Sequence, residues 1–141
     1  MHPILRNVLA VIGGIVAGSL VNVALVNLGP VVVPLPAGAD VSTMDALRDS
    51  MKLFSPVNFI FPFLGHAVGT LCGAFVAAKL AASHAMKLAL GIGAFYLVGG
   101  ITAVAMLGGP VWFSVCDLLV AYLPMGYFGG SLAQRKRPAS A

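Results

Sequence analysis

Residues 57–78, VNFIFPFLGHAVGTLCGAFVAA, decide the fold of this chain because they form an apolar run without Asp, Glu, Lys or Arg. A helix needs about 20 apolar residues to cross the hydrocarbon core of a bilayer. Three further apolar runs fill most of the remaining sequence, at residues 5–28, 88–107 and 111–133. The sequence therefore predicts an all-α fold, a four-transmembrane-helix bundle that forms a single integral membrane domain over residues 1–141.

The composition separates this chain from soluble domains. Hydrophobic residues make up 60% of the 141 residues, charged residues only 9%, and the mean hydropathy is +1.01. Soluble domains carry about 25% charged residues. The net charge of +4 comes from basic residues at the ends of the apolar runs, without the aromatic-interleaved basic patch of a nucleic-acid binder. We therefore expect the lipid bilayer as the surroundings and no nucleic-acid partner.

The basic residues also predict the orientation of the helices. If the four runs alternate in direction, one side carries Arg6, Lys79, Lys87, Arg135, Lys136 and Arg137. Loops rich in Lys and Arg face the cytoplasm in multi-pass membrane proteins. Both termini are therefore predicted to be cytoplasmic, with residues 134–141 as a cytoplasmic tail.

The long connection at residues 29–56 is predicted to lie on the opposite, outer side. Ser42, followed three residues later by Asp45, indicates a capping box at the start of a helix. Apolar residues then fall on one face of residues 43–54, which predicts a short amphipathic helix. Such a helix either caps the bundle or acts as a functional lid.

The two halves of the chain share a pattern. Residues 61–81 align with residues 113–133 without a gap, and aligning the Gly-Pro pairs after the first and third runs places Asn22 over Thr102. A duplicated helical hairpin would give a pseudo-symmetric bundle whose axis is a natural place for a site. A chance match between apolar, Gly-rich segments is the alternative.

Small residues at intervals of four indicate where helices approach closely. The helix-packing candidates in the first and second runs are Gly14, Gly18, Gly65, Gly69 and Gly73. With four helices available, we expect packing within the chain, and a homodimer or another membrane subunit is the alternative. Pro62 and Pro124 are predicted to bend the second and fourth runs, because each removes one backbone hydrogen bond.

Four polar residues inside the apolar runs form the candidate polar site. Counted from the outer ends at about 1.5 Å per residue, Asn22 and Asp117 lie roughly 9 Å deep, Thr102 roughly 8 Å and His66 roughly 14 Å. Ionisable groups inside a bilayer are costly, so Asp117 is the strongest functional candidate and His66 its natural partner. Asn22 and Thr102 are better explained as residues that tie helices together, and Asn and Thr commonly have this role in transmembrane helices.

Several kinds of chemistry are not supported by the sequence. It contains no HExxH, Walker A or GxSxG motif, and Cys72 and Cys116 lack a CxxC or histidine partner. We therefore expect no catalytic residue, no metal and no cofactor.

Three stretches resemble a known group: FIFPFLGHAVGTLCGAFVAAKLA at residues 59–81, ALGIGAFYLVGG at 89–100 and PVWFSVCDLLVAYLPMGYFGG at 110–130. They are similar to small bacterial four-helix integral membrane proteins of unknown function. The resemblance implies a multi-pass protein of the bacterial cytoplasmic (inner) membrane. It implies no activity and assigns no role to any residue.

Three classes of function remain open from the sequence. The first is a small transport or proton-linked protein that uses Asp117 and His66. The second is a non-catalytic membrane subunit or assembly protein, and the third is an intramembrane enzyme or quinone-type redox protein. The first is favoured, and the small molecule or ion that it would carry is not identified by any motif.

Overall fold

The computed structural model describes residues 2–135, which fold into helices without a β-strand. The helices are α1 (Pro3–Val32), α2 (Met44–Ser50), α3 (Ile60–Leu80), α4 (Ala85–Leu107), α5 (Val111–Val120) and α6 (Leu123–Arg135). In these residues, four segments are long and apolar enough to cross a membrane: Pro3–Val32, Pro56–Leu80, Ala85–Leu107 and Val111–Arg135. The prediction of an all-α chain with four apolar candidate spans is confirmed. Lys136, Arg137 and the rest of the predicted tail after Arg135 lie outside the described residues.

The first helix is longer than predicted. It continues through Pro30 to Val32, beyond the apolar run at residues 5–28 and into the predicted outer connection at residues 29–56. Pro30 lies in the last turn, where the fixed φ of proline suits a helix and only one backbone bond is lost. The N–H of Val33 then closes the helix on the carbonyl of Gly29 at 2.8 Å.

The predicted outer helix exists, but a different residue caps it. Thr43 is the N-cap of α2, and its hydroxyl accepts a hydrogen bond of 3.1 Å from the N–H of Ala46. The predicted capping box of Ser42 with Asp45 is therefore wrong. The N–H of Ser42 instead donates to Oδ1 of Asp40 at 2.8 Å, and hydrogen bonding from Ser42 lowers the pKa of this exposed carboxyl.

The predicted bends at the two prolines have different outcomes. Pro62 lies in the first turn of α3, where its missing N–H has no partner to lose, so it interrupts no backbone hydrogen bond. Pro124 has a stronger effect than a bend, because the fourth run is divided into α5 and α6. The ring of a proline excludes the carbonyl of the residue four positions earlier, which ends α5 at Val120.

Helices α1 and α3 pack along each other through facing glycines. A Cβ atom on Gly14 would lie 2.6 Å from the carbonyl oxygen of Gly73, and one on Gly18 would lie 2.7 Å from that of Gly69. Neither distance leaves room for a side chain. Gly65 extends the same seam towards α2, so the candidate packing glycines meet within one chain, where lipid supplies no hydrophobic force to hold helices together.

Helix α3 contacts α1, α4 and α6, whereas α1 and α4 meet at few points. The main link between α1 and α4 is Tyr96 of α4, whose hydroxyl donates to the carbonyl of Ile15 at 2.7 Å and lies 3.0 Å from Oγ of Ser19. On the α2 side of Tyr96 a cleft separates the two helices. This cleft positions the site described below.

The opposite end of the structure, near the α3–α4 connection, is closely packed. Its core consists of small apolar residues and one isoleucine: Ala74, Ala77, Ala78, Ala81, Ala85, Ala89, Ile92 and Ala133. Small side chains let helix backbones approach, so this end has little internal space. The fold is therefore asymmetric, with a packed end and a cleft end.

An arginine at each end binds a carbonyl near the end of a helix. Arg6 donates from Nε to the carbonyl of Leu80 at the end of α3, at 2.8 Å. Arg48 of α2 donates from Nε to the carbonyl of Met106 in the last turn of α4, at 2.8 Å. Helix C-termini carry partial negative charge and unpaired carbonyls, which explains both contacts. Arg48 thereby holds α2 over the cleft.

The glycine seam gives a prediction about stability. Replacing Gly14 by Ala forces a methyl group against the backbone of α3, so we expect a loss of about 1–3 kcal/mol in the free energy of unfolding. Gly91 is the matched control, because a Cβ atom there meets nothing within 4 Å. The Gly91→Ala variant should stay within about 0.5 kcal/mol of wild type. Unfolding by a denaturing detergent in mixed micelles measures both, and equal losses in the two variants would contradict the seam.

Candidate functional site

Asp117 on α5 is the residue around which the polar groups gather. Only 2% of it is exposed. Its Oδ1 lies 2.8 Å from Nδ1 of His66 on α3, and its Oδ2 accepts a hydrogen bond of 2.8 Å from the hydroxyl of Tyr122. The rings of His66 and Tyr122 are stacked, with centroids 5.8 Å apart. Both carboxyl oxygens thus have the partners that a buried carboxyl group requires.

The break between α5 and α6 brings Tyr122 onto Asp117. In an uninterrupted helix, residues three or four apart are neighbours, and a residue five apart points elsewhere. The interruption caused by Pro124 turns Tyr122 back so that its hydroxyl reaches the carboxyl group. Gly100 of α4 provides the space, because a Cβ atom there would lie 2.5 Å from the Tyr122 hydroxyl oxygen. The proline and the glycine together make the contact possible.

A cavity of about 360 Å³ lies between α2 and the Asp117–His66 pair, and we name it the α2-side cavity. Side chains from α1, α2 and α4 line it, together with four aromatic rings: Phe54, Phe59, Phe61 and Phe113. Polar groups in its wall come from Asn27, Asn58, His66, Ser114 and Asp117. Its size and mainly apolar lining are those of a small-molecule pocket.

A second space of about 260 Å³, the mid-helix cavity, lies deeper in the cleft between α1 and α4. Its polar lining residues are Ser19, Asn22, His66, Thr70, Tyr96 and Tyr122. Within residues 2–135, the hydroxyl of Thr70 is buried and has no hydrogen-bond partner. His66 borders both cavities, so its imidazole ring stands between an apolar space and a polar one.

The structure separates the four predicted site residues. His66 and Asp117 are in contact. Asn22 lies in the wall of the mid-helix cavity beside Gly65 and Gly69, and its amide makes no hydrogen bond with the other described residues. Asn22 is therefore a neighbour of His66 but does not touch Asp117.

Thr102 does not belong to the cluster, which corrects the sequence-based expectation. Its hydroxyl donates to the carbonyl of Val98 in the same helix at 2.8 Å, and its side chain is on the exposed surface. Gly100 and Ala103 face the cleft. Residues two apart on a helix point in nearly opposite directions, so Thr102, two positions after Gly100, faces away.

Tyr122 is left out of the four predicted site residues, although it completes the hydrogen bonding of Asp117. From the sequence, it is expected only to extend a polar path inward near mid-membrane, together with Tyr96. The signal was present in the sequence, because Pro124 interrupts the helix just after a buried carboxylate and so frees the intervening residues to turn. Tyr96 was also left out. Its hydroxyl joins α1 to α4 at the bottom of the cleft, through Ile15 and Ser19.

The chemistry available to the site is that of proton exchange. Nδ1 of His66 is occupied by Asp117, whereas Nε2 has no hydrogen-bond partner among the described residues, and 26% of the side chain is exposed. Nε2 can therefore gain or lose a proton towards the cavities. Within residues 2–135, no group of three or more His, Cys, Asp or Glu side chains is placed to hold a metal ion.

Comparison with protein-family models, with curated proteins and with solved structures finds no match to this chain. The resemblance to small bacterial four-helix membrane proteins therefore stays a prediction. A proposal about function therefore depends on the contacts of Asp117, His66 and Tyr122 and on the two cavities beside them.

The hydrogen bond from Tyr122 can be tested by removing one oxygen atom. Tyr122→Phe leaves Oδ2 of Asp117 without a partner in a buried position, so we expect the free energy of unfolding to fall by about 1–3 kcal/mol. Tyr127→Phe is the matched control, since Tyr127 is 54% exposed, and it should change stability by less than about 0.5 kcal/mol. Detergent-induced unfolding measures both, and an unchanged Tyr122→Phe protein would show that the bond contributes nothing.

Proposed function

We propose that this chain is an integral protein of a bacterial cytoplasmic membrane that binds a small solute from the outer side and transports it in a proton-linked manner. Four apolar candidate spans support the membrane location. Large apolar side chains are widely exposed along these spans, as at Leu20 with 67% and Leu119 with 68%. Such an apolar surface is unfavourable in water and suited to lipid.

The distribution of charge supports an orientation with α2 outside and both termini inside. Arg6 binds the carbonyl of Leu80, the residue that follows Lys79 at the end of α3. Basic residues therefore gather at the packed end of the fold. The connection that contains α2 carries acidic and basic residues in near balance: Asp40, Asp45, Arg48, Asp49 and Lys52. The end richer in Lys and Arg is the expected cytoplasmic end.

The observation that carries the proposal is the triad of Asp117, His66 and Tyr122 in the wall of two cavities. A carboxyl group in an apolar span is costly, and it is retained where it pairs with another group and serves a pathway or a proton relay. Here its pair is a histidine, the side chain whose proton exchanges most readily near neutral pH. The apolar α2-side cavity beside it can hold the body of a solute.

Access to the two cavities differs at the two ends of the fold. The cavities lie towards α2, whereas the packed alanine core lies between them and the opposite end. A transporter must alternate between states that open to one side only. With α2 on the outer side, as proposed, this arrangement is the one expected of an outward-facing state.

The role as an assembly subunit has less support than the sequence alone suggested. That reading relied on glycine motifs free to bind other helices, and these glycines face each other across the α1–α3 seam. Among the described residues, none of the hydroxyl groups in the cavity walls makes a hydrogen bond to His66. Proton-linked transport uses every unusual feature of the cleft.

Transport is tested with purified protein in liposomes that contain a pH-sensitive dye and have an acidic interior. A small organic cation, a small organic anion and a neutral solute are added separately outside. We expect one of them to dissipate the pH difference faster than in protein-free liposomes. The stimulation should fall at least tenfold in Asp117→Asn, because loss of a buried charge partner costs more than about 1.4 kcal/mol.

Asp49→Asn is the matched control for this experiment. Asp49 is also an aspartate, but it is exposed and pairs only with Lys52 at the surface. Its variant should transport like wild type. If none of the three solutes affects the pH difference, or if Asp117→Asn transports as well as wild type, the proposed function is wrong.

A further inference from the structure

The charges around the cleft suggest which class of solute it accepts. The residues that line the two cavities include one carboxylate, Asp117, and one imidazole, His66, but neither Lys nor Arg. Arg48 and Lys52 are held elsewhere, at the end of α4 and on Asp49. Among the described residues that line the cleft, the one positive charge available is therefore a proton on His66.

A buried carboxylate needs a nearby positive charge more than a surface carboxylate does. Attraction between opposite charges grows as the local dielectric constant falls, and an uncompensated charge in apolar surroundings is strongly unfavourable. The hydrogen bonds from Tyr122 and His66 lessen the cost without neutralising the charge. The net charge of the site is zero when His66 carries a second proton. It is also zero when His66 is neutral and a cation from outside takes the place of that proton.

The shape and lining of the α2-side cavity suit a cation with an apolar body. Phe54, Phe59, Phe61 and Phe113 line the space beside His66 and Asp117. Aromatic faces attract cations, with an energy that increases when water is excluded. An anion would be repelled by Asp117, and a neutral apolar molecule could not replace the proton on His66 as the positive charge beside the carboxylate.

We propose that the α2-side cavity binds a small monovalent organic cation with an apolar body, in exchange for a proton carried on Nε2 of His66. This inference rests on the proposed function and names its substrate class. When the cation enters, the Nε2–H bond breaks, its electron pair stays on nitrogen, and the proton passes to water. The cation is then held beside Asp117 and a neutral His66. The net charge of the cleft is therefore the same with a bound cation as it was with the proton on His66.

The other titratable and polar groups near His66 come from three parts of the fold. Tyr122, between α5 and α6, donates to Asp117, and Tyr96 of α4 lines the mid-helix cavity. Helix α1 contributes uncharged residues to the cavity walls, and the polar ones among them are Ser19, Asn22 and Asn27. Of these groups, His66 is the one whose imidazole ring borders both cavities.

The test compares two molecules of the same shape that differ in charge. Benzyltrimethylammonium is a permanent cation, and neopentylbenzene is its neutral isostere. Binding of each to the purified full-length protein in detergent is measured by calorimetry at about pH 6 and about pH 8, across the range where histidines titrate.

We expect the cation to bind at least about tenfold more tightly at the higher pH, with release of up to one proton for each cation bound. Proton release is read from a pH indicator in weakly buffered solution. The neutral isostere should release no proton and show the same affinity at both pH values. These expectations concern the wild-type protein, so they do not depend on the folding of a variant.

Two variants assign the effect to its residues. His66→Gln keeps an amide donor for Asp117 but cannot exchange a proton, so cation binding should persist and its pH dependence should disappear. Asp117→Asn should weaken cation binding at least tenfold at the higher pH, and the matched Asp49→Asn protein should bind like wild type. A pH dependence that survives in His66→Gln would overturn the assignment.

The outcomes separate this inference from the proposed function. Equal affinity for the cation and its neutral isostere, or binding without proton release, would overturn the inference. If an anion or a neutral solute dissipates the pH difference in liposomes, transport stands and the cation specificity is wrong. If the cation binds with proton release but no solute is transported, the binding site stands and transport is wrong.

Discussion

A carboxyl group in apolar surroundings must find hydrogen-bond partners for both of its oxygens, and Asp117 imposes this requirement on the whole cleft. His66 of α3 meets one oxygen and Tyr122 meets the other. The contact with Tyr122 needs the interruption of the fourth span at Pro124 and the absence of a side chain at Gly100. One buried charge thus links α3, α4, α5 and the start of α6. The helix interruption at Pro124 and the glycine at position 100 therefore both serve the contact between Tyr122 and Asp117.

The same arrangement explains why the two ends of the fold differ. At the α3–α4 end, small side chains fill the interior and the backbones are close together. Towards α2, Tyr96 is the last firm link between α1 and α4, and beyond it the polar and aromatic side chains surround open space. Helix α2, tied by Arg48 to the end of α4, covers that space. The site therefore lies between the packed end of the fold and α2.

Composition and spacing were sufficient to predict the four long helices. They were not sufficient to predict which side of each helix points into the cleft. Four apolar runs predict four long helices because the length of a bilayer-spanning helix is set by the membrane. The depth of Asn22, Asp117 and Thr102 followed from counting residues, yet depth does not determine direction around the helix axis. Thr102 shares its depth with the site and faces the opposite way. The rotation of a helix in an apolar environment is set by packing, which a uniformly apolar sequence does not display.

The effect of each proline on its helix was the second feature that the sequence pattern did not determine. Proline has opposite consequences in different turns, so Pro30 is accommodated in the last turn of α1 while Pro124 divides a span. The partnership of Tyr122 with Asp117 followed from that division and could not be read from helical periodicity.

We infer that Asp117 is a charged acceptor that holds His66 by Nδ1–H and leaves Nε2 for an exchangeable proton. Nitrogen-15 magnetic resonance of histidine-labelled protein in lipid nanodiscs tests it most directly, with the His66 signal assigned from the His66→Gln variant. At high pH the account predicts a neutral ring with its proton on Nδ1 and a bare Nε2, and at low pH a second proton on Nε2. A neutral ring with a bare Nδ1 would mean that the carboxyl group is the donor and carries no charge, and this result would contradict the account.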